Sequence, residues 1–296
     1  ILFTSRPVGD AMATTIWGAS SSWTLTALPL FVWMGEILFR TKLSENLFEG
    51  LAPWLQKLPG GLIHVNVVGC ALFAAISGSS AATVATVGKM SIPELRKRKY
   101  PEKILLGSLA GSGTLGLLIP PSIILIIYGV TVQESIAKLF IAGIIPGIMI
   151  ALIFMGYVII WSLLNKNKMP LTEENYSFLN KLSKSKQLIP VILLILGVIG
   201  SIYTGIATAT EAASLGVVGA LILSYFQKSL NLKTFKESLL GATKTSCMIA
   251  FILAGATFLS LAMGFTGLPR NLAIWIQNME LSPYVLIFVL MIFYII

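Results

Sequence analysis

Residues 62–87 form one apolar run with basic segments on both sides, Arg40, Lys42 and Lys57 before it and Lys89, Arg96, Lys97, Arg98, Lys99 and Lys103 after it. Connections rich in Lys and Arg stay on the cytoplasmic side of a membrane, so both ends of this run belong on the same face. A straight helix would carry one end across. The spacing therefore predicts a re-entrant hairpin of two half-helices of roughly 12 residues, ~18 Å each, with its turn inside the membrane. Backbone that leaves helical geometry at that depth must be buried in protein or line a wet cavity. Ser77-Gly78-Ser79-Ser80 suits such a turn: glycine for the reversal, hydroxyls as caps or ligands.

The membrane itself follows from composition. Of 296 residues, 56% are hydrophobic and 11% charged, with a mean hydropathy of +0.87, against about 25% charged in a soluble domain. Apolar runs recur near 23–39, 62–87, 104–129, 139–164, 188–206, 209–226, 245–265 and 283–296, most of them near the ~20 residues a spanning helix needs. None alternates as a barrel strand would, so an all-α polytopic membrane protein is expected. The chain opens on Ile1 and its last run stops at Ile296, which reads as a fragment of a longer polypeptide. Cys70 and Cys247 lie far apart in apolar runs and support neither a disulfide framework nor a metal cluster. The net charge of +9 is explained by orientation rather than by nucleic acid, because only Arg6, Lys138 and Arg270 of the 21 basic residues lie outside four connecting segments.

The stretch LAPWLQ at 51–56 returns as LAIWIQ at 272–277, each between two apolar runs. By the charge rule the first copy is cytoplasmic and the second external, the mark of an inverted-topology repeat. Each copy reads as a short amphipathic helix in the interface plane, anchored by tryptophan. The same offset carried from Gly78 falls at position 299, so a second hairpin turn is expected just past Ile296.

Residues 107–129 read GSLAGSGTLGLLIPPSIILIIYG. Proline removes a backbone donor and obstructs the preceding turn, yet suits the first position of a new helix. Two half-helices with an unwound link near residues 114–120 are expected. Freed carbonyls there could coordinate a cation, and a half-helix N-terminus could face an anionic group. Glu36 lies near the cytoplasmic end of its run and is expected to pair or snorkel there. Thr208 and Glu211 have capping-box spacing at the start of 209–226.

In wording and order these features resemble the large membrane subunit of TRAP (tripartite ATP-independent periplasmic) transporters, of DctM type. The stretches that carry the resemblance are PLFVWMGEIL (29–38), LFAAISGSSAATVATVG (72–88), GTLGLLIPPSIILIIYG (113–129), LFIAGIIPGIMIAL (139–152) and TATEAASLG (208–216). The resemblance implies an inverted-repeat, ion-transporter-like elevator fold lacking here its N-terminal helix and second hairpin. It implies a secondary transporter of the bacterial inner membrane, coupled to Na⁺ and importing an organic acid such as sialic acid or a C4-dicarboxylate. Its partners would be a small membrane subunit, separate or fused, and a periplasmic binding protein. Carried over by position, sodium ligands fall at Ser77, Gly78, Ser79, Ser80, Thr83, Thr114, Gly116 and Pro120. Substrate contacts fall at Ser79, Ser80, Ala81, Thr83, Pro121 and Ser122.

The chain then divides into an N-terminal segment with scaffold helix and cytoplasmic arm (1–61), the first hairpin with the broken helix (62–129), connecting scaffold helices (130–244), and the start of the second repeat (245–296). Three other readings compete. An intramembrane serine hydrolase would need a base near Ser79 or Ser80, and the only histidine, His64, lies about fourteen residues earlier. A binary sodium/dicarboxylate carrier would need no binding protein. A channel fits paired hairpins poorly. No GxxxxGK[ST] phosphate loop occurs in the sequence.

Overall fold

A computed structural model of the chain describes residues 8–41, 43–170, 177–186 and 188–295, of which 43–46 by backbone alone. Arg6 and Lys42, counted above among the basic residues, lie outside the described residues. Of the described residues 83% are helical, and none is in a strand. The helices are α1 (Val8–Ser20), α2 (Ala27–Phe39), α3 (Leu43–Leu55), α4 (Ile63–Ser77), α5 (Ser80–Lys97), α6 (Glu102–Gly113), α7 (Ile123–Val132), α8 (Ile136–Leu164), α9 (Phe178–Ser185), α10 (Ile189–Tyr203), α11 (Ala209–Phe226), α12 (Leu232–Thr266), α13 (Leu268–Gln277) and α14 (Pro283–Ile295). Contacts group them into two compact units, Ser22–Cys247 and Ile1–Ser21 with Met248–Ile296.

Short polar side chains start the helices where the sequence needs them. Hydroxyls of Ser79, Ser122 and Ser135 accept from the N–H groups of Ala82, Leu125 and Lys138, satisfying donors that a helix leaves open at its N-terminus. Thr208 and Glu211 form the expected capping box, Thr208 N–H donating to Glu211 Oε2 at 2.8 Å and Glu211 N–H to Thr208 Oγ1 at 3.3 Å. Asn231 caps α12 through Thr234 N–H at 2.8 Å.

Three described helices, α8, α11 and α12, are long and apolar enough to cross a membrane on their own, so the chain is a multi-pass membrane protein. At 35 residues, or ~52 Å, α12 begins thirteen residues before the apolar run at 245 that announces it. Its first turns carry Lys233, Lys236, Glu237 and Lys244, which hide a helix from a hydropathy reading but extend it beyond a ~30 Å hydrocarbon layer on the basic side.

In the unit Ser22–Cys247, α2 packs against α11 through small residues spaced by four, Ala212, Gly216 and Ala220, which let two helix backbones approach closely. A Cβ on Gly216 would stand 2.5 Å from Met34 Sδ. At its basic end α2 is tied to α12: Arg40 meets Glu36 at 3.1 Å and Glu237 at 3.2 Å, and Trp33 Nε1 donates to Ser238 Oγ at 3.3 Å. Glu36 is thus paired, as its position at the end of the run suggests.

Residues 62–97 reverse direction. Gly78 adopts φ +58° and ψ +9°, a left-handed conformation that glycine enters without a Cβ clash, and Ser79 follows extended. Gly69 and Val87, nine residues before and after Gly78, are neighbours: a Cβ on Gly69 would stand 3.6 Å from Val87 Cγ1. In one continuous helix they would be ~27 Å apart. The mouth is closed on itself too, since Leu62 N–H donates to the Tyr100 hydroxyl at 3.1 Å. Burial pushes that hydroxyl's pKa above its ordinary value. Ile63 and Ile104 share a small core with Val158 near the end of α8, flanked by Trp161 and Met169. The entry and exit of the hairpin therefore lie together, beside the basic end of α8.

The unit Ile1–Ser21 with Met248–Ile296 holds α1, the last turns of α12, α13 and α14. The copies LAPWLQ and LAIWIQ fall on α3 and α13, both short helices followed by an apolar helix.

A hairpin tip seated in a broken helix

The expected break lies between α6 and α7. After Gly113 the chain makes a tight 3₁₀ turn over Thr114–Leu117 and then loses helical geometry until α7 begins at Ile123. The Pro120–Pro121 peptide is cis. Ser122 holds the junction, donating to Leu117 O at 2.6 Å while capping α7. Behind it α8 offers glycines: a Cβ on Gly143 would come within 2.7 Å of Leu118 O, and one on Gly147 within 2.8 Å of Ile119 Cγ1.

The turn of the hairpin sits directly in this break. Gly78 O accepts from Ile123 N–H at 3.3 Å, and a Cβ on Gly78 would lie 2.5 Å from Pro121 O. On the other side a Cβ on Gly116 would stand 2.9 Å from both Ser79 C and Ser80 N. Gly113 is close to Val84 and Gly35 of α2 to Ser77, whose Cα would stand 2.9 Å from a Cβ there. Glycine at 35, 78, 113 and 116 is what lets four backbones converge.

The oxygens gathered there are neutral. Ser77 Oγ and Thr83 Oγ1 share a hydrogen at 3.0 Å, Ser79 N–H donates to Ser77 Oγ at 3.4 Å, and the buried Ser80 Oγ has no partner. Ser77, Thr83, Pro120, Pro121 and Ser122 are buried. Ala81 is exposed. Thr114 is exposed as well, and its hydroxyl donates back to Gly111 O at 2.7 Å; the 3₁₀ turn that brings Gly116 against the tip leaves it on the outside. Of the residues marked by sequence, Ser77, Gly78, Ser79, Ser80, Thr83, Gly116, Pro121 and Ser122 form one cluster, Ala81 and Thr114 stand at its rim, and Pro120 lies buried in the link with its ring toward Gly143 of α8.

Four helix ends meet at this cluster: the C-termini of α4 and α6 and the N-termini of α5 and α7. The first pair presents carbonyls and partial negative charge, the second N–H groups and partial positive charge. A hard monovalent cation suits the one, a carboxylate the other. Among the described residues no cluster of His, Cys, Asp or Glu suggests a transition-metal site. His64 stands at the opposite end of α4, ~20 Å from the tip, with Nε2 2.8 Å from Pro59 O, out of reach of Ser79 and Ser80.

Sequence reading passed over one buried feature. Asn66, fully buried on α4, donates through Nδ2 to Leu105 O at 3.2 Å and Ser108 Oγ at 3.0 Å of α6. Ser112 Oγ of α6 lies 3.3 Å from Asn66 O. The signal was present, an amide within an apolar run, but its partners were not foreseeable from the run alone.

The whole chain, residues 1–296, matches the family described as tripartite ATP-independent periplasmic transporter, DctM component. It is 32% identical over 290 residues to the C4-dicarboxylate TRAP transporter large permease protein DctM of Pseudomonas aeruginosa, covering 98% of this chain and 67% of that protein. It is 32% identical over 273 residues to the sialic acid TRAP transporter large permease protein SiaM of Vibrio cholerae, covering 91% and 63%. It is 33% identical over 273 residues to the isethionate TRAP transporter permease protein DctMQ of Oleidesulfovibrio alaskensis, covering 91% and 42%. All three are named transporter permeases rather than enzymes. Matched along its entire length by that description, this chain belongs to the DctM family of TRAP transporter large permeases.

Proposed function

We propose that the chain is the large subunit of a sodium-coupled importer of an organic anion in the bacterial cytoplasmic membrane. It would work with a small membrane subunit and a periplasmic binding protein. The observation that supports this most is the seating of the hairpin turn in the α6–α7 break, which gathers neutral oxygens and four helix ends at one point.

In this reading Na⁺ is held by oxygens of Ser77, Gly78, Ser79, Ser80, Thr83, Gly116 and Pro120, with Thr114 at the rim. The bound ion supplies positive charge that lowers the cost of bringing a carboxylate out of water. The carboxylate is received by the N–H groups that open α5 and α7 and by the hydroxyls of Ser79, Ser80, Thr83 and Ser122, near Ala81 and Pro121. Hairpin and broken helix then move together as the travelling part of an elevator. C4-dicarboxylates and sialic acid, which the names of relatives specify, support a carboxylate as substrate, and the isethionate of the DctMQ relative, a sulfonate, extends the class to small organic anions. The DctMQ relative, 42% of which this chain covers, is consistent with a small subunit that is separate or fused.

The test is uptake into proteoliposomes holding both membrane subunits, with the candidate carboxylate, an inward Na⁺ gradient and added binding protein. Uptake should require both sodium and the binding protein. Sodium-driven uptake without the protein would select a binary carrier, and uptake indifferent to sodium would overturn the coupling.

A further inference from the structure

α9, with the sequence FLNKLSKS, leaves the axis of α10 at 53°. α9 lies in the basic connecting segment that precedes the apolar α10. Phe178, Leu179 and Leu182 lie within about 100° of one another around its axis and are 66%, 74% and 50% exposed. Lys181 and Lys184 occupy the other side, Lys186 follows, and no acidic residue interrupts them. The helix is held in place by α3: Trp54 Nε1 donates to Ser185 Oγ at 2.7 Å, the Lys181 ammonium stands 5.4 Å above the Trp54 ring, and Phe178 meets that ring edge-on at 6.3 Å. Just beyond α3, Lys57 and Leu58 are exposed.

Exposed apolar side chains on one face, lysines beside them and a tryptophan at the seam are the chemistry of a helix lying in a lipid interface. The charge rule puts this surface at the cytoplasmic leaflet, whose headgroups are anionic. We infer that α9 and the end of α3 form a docking surface for anionic phospholipid. Leu179 and Leu182 enter the acyl boundary, and Lys181, Lys184 and Lys186 meet the phosphates. Since α3 also packs on α4 and α5, lipid bound here holds the arm against which the hairpin stands. The inference is independent of sodium coupling and of the substrate.

The experiment reads Trp54 fluorescence in the full-length protein in nanodiscs, isolated as the difference between wild type and Trp54→Phe. Discs contain about 30% of one brominated lipid, phosphatidylglycerol or phosphatidylcholine, in unbrominated phosphatidylcholine. Each lysine at an anionic surface is worth roughly fivefold in local enrichment, so quenching by the brominated phosphatidylglycerol should exceed that by phosphatidylcholine by at least about threefold. Lys181→Gln/Lys184→Gln/Lys186→Gln should remove the preference and Lys181→Arg/Lys184→Arg/Lys186→Arg should keep it. Equal quenching by both lipids in wild type, or a preference that survives the glutamine variant, would overturn the inference. So would loss of the preference on adding glycerol 3-phosphate or inorganic phosphate, which would make a soluble anion the occupant.

Discussion

Gly116→Ala is the substitution that bears most directly on the meeting of tip and break. A Cβ at this position would stand 2.9 Å from Ser79 C, 2.9 Å from Ser80 N and 3.0 Å from Ser79 O. Carbon contacts settle near 3.5–4.0 Å, so the overlap is about 0.5–1 Å. All three atoms are backbone, pinned by Gly78 O on Ile123 N–H and by the Ser79 cap, and no rotamer change relieves them. Overpacking of this kind costs about 1–3 kcal/mol. The tip can escape only by lifting off the link, which separates the oxygens assigned to sodium. If that strain falls on the ion-holding form, sodium affinity drops roughly 5- to 140-fold, at tenfold per ~1.4 kcal/mol.

The assay is the sodium dependence of uptake in the reconstituted system, measured beside thermal unfolding of the purified protein. Gly107→Ala on α6 is the matched control, because a Cβ there meets nothing within 4 Å. An alanine at that helical position should be neutral or stabilise by up to ~1 kcal/mol. A Gly116→Ala protein with the sodium midpoint and melting temperature of wild type would refute the packing argument and the site together. A lowered melting temperature with an unchanged sodium midpoint would keep the packing and sink the ion site.

Four further outcomes are expected. Ser80→Ala removes a buried hydroxyl that has no partner, so stability should hold or rise while sodium dependence weakens; an unchanged sodium curve removes Ser80 from the ligand set. Thr208→Ala removes the hydroxyl that accepts from Glu211 N–H, leaving the bond from the residue 208 N–H to Glu211 Oε2, and should cost about 1 kcal/mol in thermal unfolding, with the sodium midpoint untouched. Asn66→Ala strips a donor from Leu105 O and Ser108 Oγ inside the bundle and should cost about 1–3 kcal/mol; a melting curve like that of wild type would deny the α4–α6 seam its structural weight. Lys99→Cys, with Cys247→Ser to remove the exposed native thiol, should react with impermeant maleimide only from the cytoplasmic side, and labelling from outside would invert the topology.

Much of this arrangement was legible because the signals are local or obey a parity rule. The reversal at Gly78 follows from basic residues on both sides of one apolar run, and the break from two prolines after three glycines. The capping box is a four-residue pattern, and it forms with both of its hydrogen bonds. What could not be read was which glycine faces which backbone. Gly35 lies forty-two residues from Ser77 and Gly116 thirty-six from Ser80, and nothing in either neighbourhood names its partner. The early start of α12 was hidden for a different reason: lysines in its first turns lower hydropathy without lowering helix propensity. Thr114 shows the limit of transferring a ligand by motif, since one tight turn decides whether residue 114 or residue 116 faces the tip.

The seams around the hairpin are of two kinds, and the difference bears on what can move. Between α4 and α6 the contact is polar and buried: Asn66 reaches Leu105 O and Ser108, and Ser112 lies against Asn66 O. Parting these groups in an apolar surrounding would leave several unpaired at a cost of a few kcal/mol, so α4 and α6 hold together as one piece. Tyr100 adds a stitch at the mouth, and Gly78 to Ile123 another at the tip. Between α2 and α4, by contrast, Gly35 lies flat against Ser77, and no side-chain hydrogen bond joins these two helices among the described residues. A cavity of about 1000 Å³ opens beside α5 at the basic end, with Thr86, Lys89 and Met90 on one wall and Phe39, Arg40 and Glu237 on the other. Sliding along a glycine face breaks no hydrogen bond, whereas sliding along the α4–α6 seam breaks several. If part of this bundle moves during transport, the cleavage plane therefore runs past α2, leaving the hairpin and the broken helix together on the moving side.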